Sequence, residues 1–500
     1  MKWITGLDRN QTLLLPERLE EYIAADNPVR VIDAFVDSLD LVAEGFRFPT
    51  ADPLGRGRPA FHPGALLKLY LYGYTHGIRS SRRLEAECVR NVEVLWLLQK
   101  LQPDFKTIAD FRKDNRAAFK NLLRDFTALC QGWELFGGEL FAVDGTKIKA
   151  VNNPSRNFSQ TKLRQRLQAL EERIERYLQA LDEVDAAEAT AAAPSPGLPT
   201  AAQVREKLAR LRHAQETCQQ RLDSLVASGV TQVSLTDADS RAMGTGRRSV
   251  VGYNVQTVVD AKHKLIVASA ATNAVNDVGQ LAPMVRAAQA TLAPARSAVA
   301  TPPVPAVETA TPPAVKVVAD TGYYKGEDIK VCQDTGWEPY VARGKVSPSE
   351  RQGLYGKPAF QYDAMSDTYR CPAGATLPRQ RTLARETKNE WEYSAPSACA
   401  DCGQKTRCTK SAYRTLTRWE HEARLERMDQ RLAQEPAVLK RRGGLVEHPY
   451  GTIKQRILVG GFLVRGLEKV GAEVSLAHWA YNFKRVVAIL GVPALLAALR

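Results

Sequence analysis

The sequence predicts an α/β protein with a mixed-sheet core, an all-helical N-terminal domain, a helical-hairpin insertion and a cysteine-rich insertion. Three observations carry that expectation. Two apolar β-type runs, LFAVD at 140–144 and VKVVAD at 315–320, each end in an aspartate, and a stretch of period-two alternation lies between them. Residues 160–230 are instead highly charged and helical, with apolar positions at coiled-coil spacing. Four of the eight cysteines crowd into residues 371–408.

Bulk properties bound the answer. A chain of 500 residues exceeds what one core usually supports, so two to four domains or large insertions are expected. The balance of 69 Lys+Arg against 55 Asp+Glu gives a formal charge of +14 and a pI near 9.4. That favours an anionic partner, most often nucleic acid, although ribosome-associated and membrane-surface proteins share the trait. The opening MKWITGLDRNQTLLLPERLEEY has no apolar core of signal-peptide length, and the apolar stretch at 486–499 is short and contains Pro493. The expectation is a soluble cytoplasmic protein with no membrane partner. So few cysteines in so long a chain make no disulfide scaffold.

Along the chain, HPGALLKLYLYGYTHGI places Leu66, Leu69, Tyr70 and Gly73 at helical steps and predicts an amphipathic core helix. It leads into IRSSRRLE, where Ser80 or Ser81 fits an N-cap and Arg79, Arg82 and Arg83 stand near a helix start that can hold a DNA phosphate; a solvated basic turn fits as well. Thr107 and Asp110 are spaced like a capping box. After Asp144, Gly145 and Thr146 permit a tight turn, with Lys147 and Lys149 bringing positive charge close to the carboxylate.

Leucines from Leu163 to Leu181 and again from Val204 to Leu225 predict an antiparallel hairpin of helices, its tip broken by AAEATAAAPSPGLPT. A solvated spacer, a DNA clamp or a dimerisation arm would all suit it. The segment SVVGYNVQTVV, a turn at 260–263 and the run from Leu265 predict a β-hairpin. Asp237 and Asp239 before it read as turn residues. A helix at 278–292 follows, then the Ala/Pro-rich ARSAVATPPVPAVETATPPAV as an extended linker. Cys371, Cys399, Cys402 and Cys408 have spacings able to close a structural Zn²⁺ site, with free thiols as the alternative. Trp479, Phe483 and Val487 step by four and read as packing residues.

The stretch VEHPYGTIK at 446–454 sets Glu447 and Lys454 two helical turns apart, on nearly one face and about 10 Å apart along the axis. With Asp144 and Asp320 this gives three carboxylates able to converge on hard divalent ions.

Together VDGTKIKA, VADTGYY and VEHPYGTIK resemble the catalytic motifs of DDE-type insertion-element transposases, whose core is ribonuclease H-like. PDFKTIADFRKDN (103–115), TDADSRAM (236–243), GYNVQTVVD (252–260) and RGLEKVGAE (465–473) look like the same family, so the resemblance covers most of the chain. Many such enzymes carry a tyrosine and an arginine seven and four residues before the glutamate. Here those places hold Lys440 and Gly443, with Arg441 and Arg442 next door as candidate DNA contacts.

The resemblance implies a helical DNA-binding domain at 1–130 that recognises terminal repeats, and a catalytic core from 135–160, 231–335 and 436–500. Residues 161–230 would form the inserted hairpin and 336–435 the cysteine-rich insertion. Asp144, Asp320 and Glu447 would hold two Mg²⁺ or Mn²⁺ ions, and Lys454 would meet a phosphate near the scissile bond. Terminal inverted repeats and target DNA would be the partners of a homodimer performing hydrolysis and strand transfer. A catalytically decayed copy that binds and represses element ends, and a ribonuclease H-fold repair nuclease, are the alternatives.

Overall fold

The computed structural model describes residues 18–48, 60–189, 201–244, 249–293, 314–344, 348–384 and 388–499. The hairpin tip at 190–200 and nearly all of the Ala/Pro-rich segment lie outside them.

Helices α1 (Val29–Asp37), α2 (Pro63–Thr75), α3 (Ser81–Arg90), α4 (Val92–Leu97), α5 (Phe105–Asp114) and α6 (Arg116–Gly132) precede the first long strand. The expected amphipathic helix is α2, but it is buried nearly all round, from Pro63 to Thr75. Its predicted apolar stripe is one side of a helix enclosed by its neighbours. Helix α5 is capped by Asp104, whose carboxylate accepts from Thr107 N at 2.8 Å, so Thr107 lies inside the helix and does not open it.

These helices share their core with the C-terminal ones. Phe35 and Phe126 pack on Trp479 with ring centroids 5.6 and 5.4 Å away, within a cluster that also takes in Val255 and Ile266. The described residues of this helical region therefore share their core with the C-terminal helices and the sheet.

The main sheet starts with β1 (Leu140–Lys149). After β2 (Asn157–Ser159) come the hairpin helices α7 (Gln160–Ala189) and α8 (Ala201–Ala227), closed at their base by β3 (Gln232–Ser234) pairing with β2. Leu163, Leu167, Leu170, Leu211, Cys218, Leu222 and Leu225 form the seam. Strands β4 (Arg241–Met243), β5 (Val250–Asp260) and β6 (Ile266–Thr272) precede helix α9 (Leu281–Leu292), and β7 (Val315–Ala319), helix α10 (Gly326–Asp334) and β8 (Trp337–Val341) complete the layer.

The order is β6-β5-β1-β7-β8, with the short β4 also on β5. Strands β5 and β6 are antiparallel to their neighbours, whereas β7 and β8 run parallel to β1 and to each other. Because β8 pairs with β7, residues 337–341 belong to this sheet and not to the cysteine-rich insertion, whose expected boundary at 336 moves downstream.

A short helix, α11 (Pro348–Arg351), leads into a second sheet of β9 (Gln361–Asp363), β10 (Thr368–Arg370), β11 (Thr376–Ala384), β12 (Asn389–Ser394) and β13 (Thr415–Trp419). Helices α12 (Pro396–Ala400) and α13 (Lys405–Cys408) lie between its last two strands, and Tyr369, Leu377, Tyr393 and Leu416 make its small core. Helix α14 (Glu422–Gln434) returns to the main sheet, with Leu425 and Met428 packing beside Trp337 and Val341. Helices α15 (Pro436–Thr452), α16 (Leu467–Leu490) and α17 (Val492–Ala498) finish the chain.

Asp237 and Asp239 are structural. Asp237 accepts from Tyr253 Oη at 2.8 Å and Gly466 N at 3.1 Å, and Asp239 accepts from Leu467 N at 2.8 Å. They fix the start of α16. Among the described residues no single helix is long and apolar enough to cross a membrane.

Candidate active site

Strand β1 pairs in parallel with β7 through Leu140 with Lys316 and Ala142 with Val318. Continuing that register by two residues sets Asp320, just past the end of β7, level with Asp144. Adjacent strands lie about 4.8 Å apart, so the two aspartates are neighbours across the sheet.

Asp144 is the more enclosed of the predicted acids. Its Oδ1 accepts from Gly145 N at 2.8 Å and its Oδ2 from Arg442 Nη1 at 2.7 Å. Burial pushes its carboxyl up to about 6, against the pull of Arg442 and the Gly145 N–H, and Asp320 and Asp277 push the same way as burial. Desolvation thus outweighs repulsion between the carboxylates as the cause. Asp320 Oδ1 accepts from Gly322 N at 2.8 Å, starting a 3₁₀ turn over Thr321–Tyr323.

The expected tight turn at Gly145 is absent: β1 runs on to Lys149, paired with β5 throughout. Glycine at 145 leaves the space that neighbouring side chains fill. A Cβ there would stand 2.3 Å from Gln256 Nε2 and 2.5 Å from Asp277 Oδ1.

Helix α15 lies against β1, β5 and β7. Its Tyr450 hydroxyl donates to the Asp144 carbonyl and accepts from Thr257 Oγ1 at 2.7 Å, tying the helix to two strands at the level of the aspartate. Glu447 sits in the second half of this helix, which begins at Pro436 and contains Pro449. Lys454 lies beyond it, in a π-helical turn over Ile453–Ile457, so the regular two-turn spacing from Glu447 does not hold.

Glu447 is exposed, and no hydrogen bond or ion pair engages it among the described residues. Its Oε1 would be 3.3 Å from a Cβ at Gly443, so the glycine found where the resemblance leads one to expect arginine gives the glutamate room. Arg442, one residue earlier, supplies the guanidinium at Asp144. The Lys454 ammonium is held below its usual value by burial and by Lys147, and Asp144 opposes this. That coupling brings the two lysines and the aspartate into one neighbourhood.

Of the other predicted DNA contacts, Arg82, Arg83 and Arg441 are exposed and Lys147 half-buried. Arg79 is a correction. It is 6 % exposed and donates to Glu473 Oε1 at 2.7 Å, Gly461 O at 2.8 Å and Val459 O at 2.6 Å. A guanidinium spent in this way is not available to a phosphate.

Sequence reasoning passed over Asp277, Asn254 and Gln256. Asp277 accepts from Asn254 Nδ2 and Gln256 Nε2, each at 2.7 Å, and from Lys147 Nζ at 3.2 Å. One signal was present: two amides spaced by two in the otherwise apolar GYNVQTVV.

Cys371, Cys399, Cys402 and Cys408 all line one small cavity of about 30 Å³, and all are free thiols. Burial raises the Cys408 thiol, with the other three adding to the effect. Among the described residues, however, no group of three or more His, Cys, Asp or Glu side chains is arranged to hold a metal ion as it stands, at the cysteines or at the aspartates.

Two family models match the chain: a transposase domain (DUF772) over residues 17–114 and a transposase DDE domain over residues 370–487. The second includes Glu447 and Lys454 but neither aspartate. These matches bear out the resemblance read from the sequence. No curated protein matches. A cryo-EM structure of the piggyBac transposase synaptic complex with hairpin DNA is similar at 6% identity over 95% of this chain and 79% of that one, with a TM-score of 0.29. So loose a superposition carries no argument about the fold.

Proposed function

We propose, from the premise that this chain is similar to DDE-type transposases over both matched regions, that it binds the terminal repeats of an insertion element and catalyses phosphodiester hydrolysis and strand transfer. The observation that carries this reading is the level placement of Asp144 and Asp320 on parallel strands beneath the helix that bears Glu447. The order β6-β5-β1-β7-β8, with β5 running against the other strands, supports a ribonuclease H-like core.

The donor set suits Mg²⁺ or Mn²⁺. It consists of hard carboxylate oxygens, and Asp144 is a half-buried acid whose ionised form burial disfavours in spite of Arg442, so that added positive charge would favour it. Asp144, Asp320 and Glu447 would hold two such ions, which when bound supply activation of the attacking oxygen and charge stabilisation of the leaving one. The chain's own groups do the rest. Tyr450 fixes the β1 backbone at Asp144, Arg442 balances the charge of that carboxylate, and Lys454 with Lys147 offers ammonium groups to a phosphate. Arg82, Arg83 and Arg441 are exposed cations for the DNA backbone, and a homodimer would bring two element ends together. Action on DNA would put the protein with the nucleoid in a prokaryote.

The four cysteines would hold a structural Zn²⁺ by drawing inward on their shared cavity. Their reduced state and common lining support this, because Zn²⁺ bound by four thiolates is a closed structural site.

Incubation of the purified protein with Mg²⁺ and labelled DNA carrying its own element ends tests the reading. Cleaved ends and joined products are expected. Stable binding without cleavage would favour the repressor alternative instead.

A further inference from the structure

Asp277 follows β6 and precedes α9, a place where an aspartate ordinarily caps the helix. Here α9 has Gln280 at its cap with no side-chain bond, and the Asp277 carboxylate turns to the sheet. Three donors converge on it: Asn254 Nδ2 and Gln256 Nε2 at 2.7 Å, and Lys147 Nζ at 3.2 Å. Gly145 pairs with Gln256 and Lys147 with Asn254 across β1 and β5, so these residues share one face and Asp144 is on the other.

The cost of this arrangement argues that it has a use. Asn254 and Gln256 are both fully buried, and burying amides is unfavourable unless they are bonded. Gln256 is bonded on both sides, accepting from Tyr323 Oη and donating to Asp277. Asn254 spends its Nδ2 on Asp277 while its Oδ1 has no partner among the described residues. Gly145 gives up a side chain to let the carboxylate approach.

The geometry points to Asp277 as a positioning residue: it braces β1 behind Asp144 and anchors the Lys147 ammonium three residues along the same strand. This rests on the transposase reading for its purpose. The anchoring itself does not, and can be tested apart from it.

Two measurements on the full-length protein do so. Acetylation of lysines followed by mass spectrometry reads the Lys147 ammonium directly. Lys147 is expected to react slowly in the wild-type protein and several-fold faster in Asp277→Asn. Cleavage of element-end DNA reads the consequence. Asp277→Asn is expected to lower kcat roughly 10- to 100-fold, as small misplacements in active sites do, while KM for DNA changes much less. Lys147→Gln should lower kcat as well, and the double variant should be no worse than the poorer single one.

If Asp277→Asn fails to fold, Lys147→Gln leaves the carboxylate bonded to both amides and carries the kinetic test. Unchanged Lys147 reactivity in Asp277→Asn, unaltered kcat in Lys147→Gln, or multiplying losses in the double variant would overturn the proposal. A wild-type protein that does not cleave would count against the transposase reading, and the labelling result would still decide the anchoring.

Discussion

Arg442 Nη1 meets Asp144 Oδ2 at 2.7 Å, joining positions 298 residues apart in sequence. The pair ties the helix that carries Glu447 to the strand that carries the first aspartate. It also offsets part of the burial that pushes the Asp144 carboxyl up to about 6.

The raised value makes a prediction about stability. Between the ordinary 3.8 and about 6, the folded chain binds more protons at Asp144 than the unfolded chain does. Stability from this group is therefore full below the lower value and is lost as pH rises through the upper one, by about 2–3 kcal/mol. Asp144→Asn removes the charge and keeps the shape, so the metal-free protein should be at least as stable as wild type at pH 7.5 and should lose its advantage at pH 4. Denaturant titration at the two pH values checks this. In the same variant DNA cleavage should be absent.

Arg79 and its neighbours should separate cleanly. Arg79→Ala would leave Glu473, which is 0% exposed, as a buried charge without its guanidinium. A loss of about 3–5 kcal/mol in unfolding free energy is expected. Charge reversal at the exposed Arg82 and Arg83 should change stability by only about 0.5 kcal/mol, yet weaken binding to element ends and flatten its salt dependence. Unfolding curves and binding isotherms at several salt concentrations measure both.

For the cysteine cavity, the expectation is one equivalent of zinc in protein purified without chelator, measured by elemental analysis. Cys399→Ser should reduce that content and loosen the small second sheet. Full-length protein free of zinc and equally stable with or without added metal would leave the cysteines as packing thiols.

Much of this arrangement was legible in the sequence because it is local. LFAVD and VKVVAD declare strands that carry acids, although the first runs on past Asp144 to Lys149, GYNVQTVV declares alternation, and the hairpin declares itself by its heptads. What escaped depends on distant partners. Arg79 sits in a run of serines and arginines that resembles a surface, and only Glu473, 394 positions away, makes it a core residue. Gly145 reads as a turn because the reason for it, Asp277 pressing on β1, lies in another segment. Asp277 itself stands in a loop with no periodicity to mark it. Trp337–Val341 is a five-residue strand whose membership in the main sheet is decided by pairing with β7, which no local pattern encodes.

The most direct test of the central claim is cleavage and strand transfer by Glu447→Gln on labelled element ends in Mg²⁺, beside the wild-type protein. Glu447 is exposed and its side chain has no partner among the described residues, so the substitution should leave stability within about 0.5 kcal/mol and leave binding to the ends intact. The account predicts cleaved and joined products with wild type and none with Glu447→Gln. Full cleavage by the variant would contradict it.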